Sequence, residues 1–205
     1  GTQGTDAVNL AQLNAAIAAV GPVTSSPYFK ANGAGDGSDD ARALADGAVA
    51  IGSNAVAGME NAVAIGKAAA ASQDGVAIGH GAKAENANAI ALGSQSMAGT
   101  NGIALGNNAN AAVNGTALGN NAVAFGDNSV ALGNGSTANE SNVVSVGSAG
   151  NERKIVNVAD GVLSATSKDA VNGSQLFATN TRVGSLEDSL KNGGVIDPVT
   201  GESLA

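Results

Sequence analysis

Few side chains in this sequence are of the kinds that do chemistry, and their surroundings limit what each can do. His80 is the only histidine. It directly follows a turn glycine, Gly79, which suits an exposed corner better than a catalytic or ligating position. Glycine-rich stretches such as Gly115 to Gly119 resemble phosphate-cradling loops in composition only, because no lysine follows in the required place and no helix begins there. The acidic run Gly33-Ala34-Gly35-Asp36-Gly37-Ser38-Asp39-Asp40 has the carboxylates of a calcium loop, but calcium-binding β-rolls repeat their motif in register and this run occurs once. It reads as a flexible acidic linker. Arg153 and Lys154 offer either an anion site or one half of an intersubunit salt bridge, and the salt bridge is the better reading. The expectation is a protein with no catalysis, no cofactor and no metal.

Composition points the same way. The 205 residues include no Cys, no Trp, one Tyr and three Phe, whereas a compact domain of this length buries several aromatics. Stability must come from repetition and assembly. A net charge of −8 argues against nucleic acid or anionic lipid as a partner. No stretch approaches the ~18 apolar residues of a membrane helix, and the N-terminus is not a signal peptide. The sequence reads as an internal segment of a longer chain. Lack of cysteine suits a chain that crosses an oxidising compartment unfolded.

A tetrapeptide supplies the missing organisation. It runs Val49-Ala50-Ile51-Gly52, Val63-Ala64-Ile65-Gly66, Val76-Ala77-Ile78-Gly79, Ile90-Ala91-Leu92-Gly93, Ile103-Ala104-Leu105-Gly106, Thr116-Ala117-Leu118-Gly119, Val130-Ala131-Leu132-Gly133 and Val144-Ser145-Val146-Gly147. Successive glycines lie 14, 13, 14, 13, 13, 14 and 14 residues apart. A short fixed period means one unit stacked many times. Alternating branched and small residues followed by glycine spell a strand and a turn. The fold class is therefore an all-β solenoid with two short strands per turn.

Side chains alternate faces along a strand. The middle residues of the first strand, Ala50 to Ser145, are all small and point inward. A second strand begins three residues after each glycine, and its expected inward pairs are Ala55/Ala57, Ala68/Ala70, Ala82/Ala84, Ser96/Ala98, Ala109/Ala111, Ala122/Ala124 and Ser136/Ala138. Two strands that offer each other only Ala and Ser define a thin interior. Between those pairs lie Val56, Ala69, Lys83, Met97, Asn110, Val123 and Thr137, which share no chemistry and read as a solvated face. The flanking rows of the first strand are Val49, Ile51, Val63, Ile65, Val76, Ile78, Ile90, Leu92, Ile103, Leu105, Leu118, Val130, Leu132, Val144 and Val146, with Thr116 the one exception. They form an apolar ladder too long for a soluble monomer to expose. Self-association through this face is expected.

Heptad seams flank the repeats. Leu10, Leu13, Ile17 and Val20, then Leu176, Thr179, Val183, Leu186 and Leu190, follow the spacing of coiled-coil core positions. The expected organisation is a short coiled coil within 1–22, a connector at 23–45, a β-roll at 46–149, a segment at 150–175, a coiled coil at 176–192, and a further module or linker at 193–205. Tyr28 and Phe29 are expected to pack where the first coiled coil meets the roll.

The repeat Asn61-Ala62-Val63-Ala64-Ile65-Gly66, the run Glu152-Arg153-Lys154-Ile155-Val156-Asn157-Val158-Ala159-Asp160-Gly161, and Asp169-Ala170-Val171-Asn172-Gly173-Ser174-Gln175-Leu176 together resemble the YadA-like head and neck of trimeric autotransporter adhesins. The start, Thr5-Asp6-Ala7-Val8-Asn9-Leu10-Ala11-Gln12-Leu13, resembles the close of another neck. The resemblance covers roughly residues 45–183 and implies a homotrimeric left-handed parallel β-roll flanked by short coiled-coil helices. It also implies that 1–22 closes a preceding neck, that 176–192 is a coiled-coil stalk, and that 150–175 is a neck, here Arg153, Ile155, Asn157, Val158, Asp169, Asn172 and Gln175, that locks three rolls together. On this basis the chain is expected at the bacterial cell surface, held by an outer-membrane anchor elsewhere, and attaching as a homotrimer to host cells or extracellular matrix.

The segment Ala122-Val123-Ala124-Phe125-Gly126 looks like an extra tetrapeptide, yet Gly119 to Gly133 is one 14-residue turn. Val123 and Phe125 therefore belong to the solvated face, either as repeat drift or as an apolar ligand contact. Other functions compete less well. A passive spacer or self-agglutination module is the main alternative. A hexapeptide-repeat acyltransferase needs an 18-residue coil and an intersubunit histidine, and an ice-binding solenoid needs a flat threonine array.

Overall fold

The fold, seen in a computed structural model, is described for residues 10–20, 34 and 36–204. The segments around Thr5–Asn9 and Tyr28–Phe29, and Gly33 and Gly35 of the acidic run, lie outside the described residues. Two compact units divide the chain, Gly1–Glu152 and Arg153–Ala205.

The first unit contains helix α1 (Leu10–Val20) and a parallel β-solenoid. Each turn gives one strand to each of two sheets. The ladder sheet consists of β2 (Val49–Ile51), β4 (Val63–Ile65), β6 (Val76–Ile78), β8 (Ile90–Leu92), β10 (Ile103–Leu105), β12 (Thr116–Leu118), β14 (Val130–Leu132) and β16 (Val144–Ser145). The outer sheet consists of β1 (Arg42–Ala43), β3 (Val56–Ala57), β5 (Ala70–Ala71), β7 (Lys83–Ala84), β9 (Met97–Ala98), β11 (Asn110–Ala111), β13 (Val123–Ala124) and β15 (Thr137–Ala138). Pairing is parallel throughout both sheets, so equivalent residues stack, as in Val63 with Val76 and Ala64 with Ala77.

The interior is as thin as the alternation requires. Among the described residues every buried apolar side chain is an alanine, and the largest fully buried side chains are the serines Ser96, Ser129 and Ser136. Their hydroxyls are satisfied locally: Ser96 Oγ donates to Gly93 O at 2.8 Å and Ser136 Oγ to Leu132 O at 2.8 Å. A third inward row precedes each ladder strand, and the two-strand sequence reading lacks it. Its members include Ala62, Gly75, Ala89, Gly102, Gly115 and Ser129, all buried.

That row explains the uneven turn length. The 13-residue turns carry Gly75, Gly102 and Gly115 in it, and the 14-residue turns carry Ala62, Ala89, Ser129 and Val143. The shorter turns omit one residue of the loop just before the row, which draws the backbone inward. A Cβ on Gly102 would lie 2.7 Å from Ala112 O, and one on Gly75 would lie 2.9 Å from Ser72 O. The ladder register survives because the outer loop absorbs the change.

One frame assignment needs correction. The inward pair of the second turn is Ala69/Ala71, not Ala68/Ala70; Ala70 takes the outer slot between Val56 and Lys83. Ala68 instead occupies the left-handed corner (φ 57°) that Asn54 holds one turn earlier at φ 58°. Four consecutive alanines, Ala68 to Ala71, carry no contrast from which a frame can be read. The roll also starts inside the segment assigned to a connector, with β1 at Arg42–Ala43. Ser53 Oγ donates to Asp39 Oδ2 at 2.8 Å and Asn54 N to Asp39 O at 2.8 Å. Asp39 thus belongs to the first corner rather than to a flexible linker, and the Ser53 hydroxyl holds its carboxyl below the ordinary range.

The glycines that close the ladder strands stack directly. Gly52, Gly66, Gly79, Gly93, Gly106, Gly119 and Gly133 have φ between 112° and 136°. A Cβ on Gly66 would lie 2.6 Å from the carbonyl oxygen of Gly79 one turn on, so no other residue fits. Gly147 leaves this column: its strand stops at Ser145, whose Oγ donates to Gly147 O at 2.8 Å, and Val146 falls outside the sheet.

The second unit is an irregular run followed by helix α2 (Gly173–Asn192). Asn172 caps the helix, accepting from Ser174 N at 3.1 Å and Gln175 N at 3.2 Å. Gln175 Oε1 accepts from Asn172 N at 3.3 Å, which completes a capping box. The same two side chains brace the run before the helix. Asn172 Nδ2 donates to Val158 O at 3.1 Å and to Asp160 Oδ1 at 2.7 Å, and Gln175 Nε2 donates to Gly161 O at 2.7 Å. Asp169 Oδ2 accepts from Val162 N at 3.0 Å. The motif Asn172-Gly173-Ser174-Gln175 is therefore a helix start and a brace at once.

Ala77 is fully buried and Lys83 is exposed. Ala77→Leu should overpack the interior and cost about 1–3 kcal/mol per copy, whereas Lys83→Leu should leave the thermal midpoint nearly unchanged; equal losses would mean that the faces are reversed. Asn172→Ala should cost about 1 kcal/mol for the lost cap and speed proteolytic cleavage between residues 153 and 172. An unchanged cleavage rate would show that the brace does not hold that run.

Candidate functional site

Three surfaces stand out, and all are apolar. On the roll, Ile51, Val63, Ile65, Val76, Ile78, Ile90, Leu92, Ile103, Leu105, Val130 and Val146 are half-buried by their neighbours along the ladder. Val49, Leu118 and Leu132 are each 43% exposed and Val144 is 69% exposed. Thr116 interrupts the row in β12 and is half-buried. The ladder thus presents a flat row of branched side chains, two per turn.

On the second unit, the run before α2 exposes Ile155 and Val156 at 69% each, with Val162, Leu163 and Val171 similarly open. A depression of about 510 Å³ is lined by Ile155, Val156, Asn157, Val158, Ala170, Val171, Asn172 and Gly173. Asn157 adopts φ 61°, a left-handed conformation that asparagine tolerates. Arg153 and Lys154 are exposed beside it. Along α2, Leu176, Val183 and Leu186 share one exposed seam while Leu190 is half-buried near the helix end. On α1, Leu10 and Leu13 are exposed; Ile17 and Val20 continue the same helix.

The outer sheet differs in kind. Its outward row reads Arg42, Val56, Ala70, Lys83, Met97, Asn110, Val123 and Thr137, with no common group. Val123 is half-buried. Phe125, just past β13, is 58% exposed. Val113, which the sequence reading does not single out, is also exposed. Its carbonyl accepts from Asn128 N at 3.3 Å, in the turn that carries Phe125. A shallow groove of about 400 Å³ runs between Val56, Gly58, Ala70, Ser72, Lys83 and Glu85.

The corners carry asparagine columns that the sequence reading also misses. Asn61, Asp74, Asn88, Asn101, Asn114, Asn128 and Asn142 all have φ between 53° and 61°. Their side chains link successive turns: Asn61 Nδ2 donates to Asp74 Oδ1 at 2.9 Å, Asn88 to Asn101 at 3.2 Å, Asn101 to Asn114 at 3.1 Å, and Asn128 to Asn142 at 2.8 Å. The signal was present, since these residues recur with the glycine period one position before the third inward row. His80 sits at the opposite corner, exposed, with the Gln95 amide 3.5 Å from Nδ1.

Comparisons with known proteins agree with this geometry. The family model described as the YadA head domain repeat matches residues 39–55, 70–96, 98–114, 111–136 and 128–148. The model described as the coiled stalk of trimeric autotransporter adhesin matches residues 1–26 and 154–195. No curated protein matches the chain in sequence. Among solved structures, the collagen-binding domain of the Yersinia adhesin YadA is 30% identical, with a TM-score of 0.58, covering 69% of this chain and 87% of that one. The C-terminal YadA-like domain of BPSL2063 from Burkholderia pseudomallei is 28% identical over 99% of this chain and 95% of that one, with a TM-score of 0.28. A parallel solenoid of this period, a braced run entering a seamed helix and this degree of identity lead to one assignment: the chain belongs to the YadA-like trimeric autotransporter adhesins.

Proposed function

We propose that this chain is the head, neck and first stalk of a homotrimeric bacterial surface adhesin that attaches cells to host tissue or extracellular matrix. The observation that carries the reading is its 30% identity to a collagen-binding adhesin domain across 87% of that domain. In this reading the roll extends to about residue 149, the neck spans 150–175 and the stalk 176–192. Three ladder faces, from Val49 to Val146, close against one another around an axis. Ile155, Asn157 and Val158 of the neck meet neighbouring chains, and Arg153 pairs across subunits. Leu10, Leu13, Ile17 and Val20 in α1, and Leu176, Val183, Leu186 and Leu190 in α2, form coiled-coil seams. Half-exposed branched side chains on all three surfaces support assembly, because apolar area of this extent is costly to leave in water. The chain is displayed outside the cell by an anchor that lies elsewhere, and the outer sheet is left to meet the ligand.

Adhesion on such a sheet is weak per site and strong by number, since three copies per head multiply avidity without new contacts. A collagen-like or other matrix protein is the partner class. The mixed outward row favours a second reading, a spacer that holds another domain away from the cell. Beads coated with the chain and offered a panel of immobilised matrix proteins separate the two: binding to none of them favours the spacer.

Ile78→Asp would set three carboxylates around the axis. Each lost Ile forfeits ~1.5–3 kcal/mol of burial, and like charges in a dry interface add to that. The trimer should dissociate at neutral pH and partly recover as acid protonates the carboxylates, starting above their ordinary range because a dry site beside like charges favours the neutral form; sedimentation equilibrium reads the outcome, and an undisturbed trimer would remove this face from the interface. Phe125→Ser should keep the trimer and lower bead attachment, because exposed aromatics with Val123 beside them are suited to anchor a partner. Attachment equal to wild type would dismiss Phe125 and Val123 as contacts.

A further inference from the structure

The two edges of the ladder face differ in charge, and this carries an inference about how neighbouring rolls meet. The edge entered before each ladder strand contains Asp46, Glu60, Asp74, Glu85, Asp127 and Glu140 and no basic residue. The edge left after each strand, from Gly52 to Gly135, contains Lys67 and His80 and no acidic residue; Asp39, at the first corner of the same column, already accepts from the Ser53 hydroxyl. Both kinds of group coincide on two turns only. Glu60 and Lys67 bracket β4, and Asp74 and His80 bracket β6; all four residues are exposed. From the strand geometry the members of each pair stand roughly 15–20 Å apart in one chain, on opposite corners, so neither pair closes internally.

A threefold rotation along the roll axis carries each turn to the same level of its neighbour and sets the leaving edge of one copy against the entering edge of the next. We infer that Lys67 of each roll pairs with Glu60 of the adjacent copy, and that His80 meets the adjacent Asp74 one level on, so that charged contacts cross each seam of the head. This rests on the trimeric reading above and names the groups that close its seams. The local environment is compatible. Lys67 lies near enough to Asp39 of its own chain to help hold that carboxyl low, behind the larger effects of the Ser53 hydroxyl and the Ala34 amide. Asp74 uses Oδ1 for the Asn61 amide, which leaves Oδ2 for a second donor. Gln95 lies against Nδ1 of His80, which leaves Nε2.

The charges also make the arrangement directional. Antiparallel packing of two rolls would set acidic edge against acidic edge. Charge at an interface edge contributes orientation more than affinity.

Carbodiimide coupling of the full chain tests this, because it joins a carboxylate to an amine only where the two touch. Covalent trimers should form, and peptide mapping should find Glu60 joined to Lys67, a link that one chain cannot make alone. Lys67→Gln should lose that peptide while sedimentation still shows a trimer. Either single reversal, Glu60→Lys or Lys67→Glu, should lower the unfolding midpoint by a few degrees at low salt, and the double reversal should restore it. A trimer that yields no Glu60–Lys67 peptide, with a double variant no better than the singles, overturns the pairing alone. A monomer by sedimentation overturns the trimeric reading and the pairing with it.

Discussion

Two backbones stacked so closely that only alanine or serine fits between them are the constraint from which the rest of this structure follows. A globular domain puts its large apolar side chains inside; here, among the described residues, no fully buried side chain is larger than Ser96, Ser129 and Ser136. The branched residues of each turn are therefore displaced to the outside of the ladder sheet. A chain built this way buries little per turn and gains stability by adding turns and by covering the ladder. Close packing and the need for partners are one property seen from two sides.

The same closeness governs the corners. Stacked turns bring glycine carbonyls under one another, which excludes a Cβ at Gly66 and its equivalents. The opposite corners take left-handed residues, filled mostly by asparagines whose amides link turn to turn. Turns of 13 and 14 residues coexist because one loop takes up the difference and a glycine gives way at the third inward row. The ladder stays in register across every change of length, as Ile90, Ile103 and Thr116 show.

What stacking does not constrain is left free to vary. The outward row of the outer sheet passes from Arg42 through Lys83 and Met97 to Thr137, and Phe125 stands open at its margin. Changes on such a face cost the roll little. The second unit follows a different rule: Asn172 and Gln175 use hydrogen bonds to give an irregular run a fixed shape, and that run then exposes Ile155, Val156 and Val171. Polar groups set its geometry and apolar groups ask for neighbours.

The repeat by itself determined the solenoid, its period, the alanine interior, the outward ladder and the place of Phe125, because a strand's two-residue alternation ties each side chain to a face once the glycine marks the end. The helix that runs from Gly173 to Asn192 was foreshadowed by the spacing of Leu176, Val183, Leu186 and Leu190. Tertiary structure decided the rest wherever local contrast failed. The run Ala68 to Ala71 had four identical side chains, and only pairing with Val56 and Lys83 fixed its frame. The third inward row and the short turns depended on distances between non-adjacent carbonyls, which no local pattern encodes. Asp39 belonged to the roll through Ser53, 14 residues on, a contact that exists only after the first turn has closed. The asparagine columns were spaced for all to see, but their amides meet only because stacking brings residues 13 or 14 apart in sequence within hydrogen-bond reach.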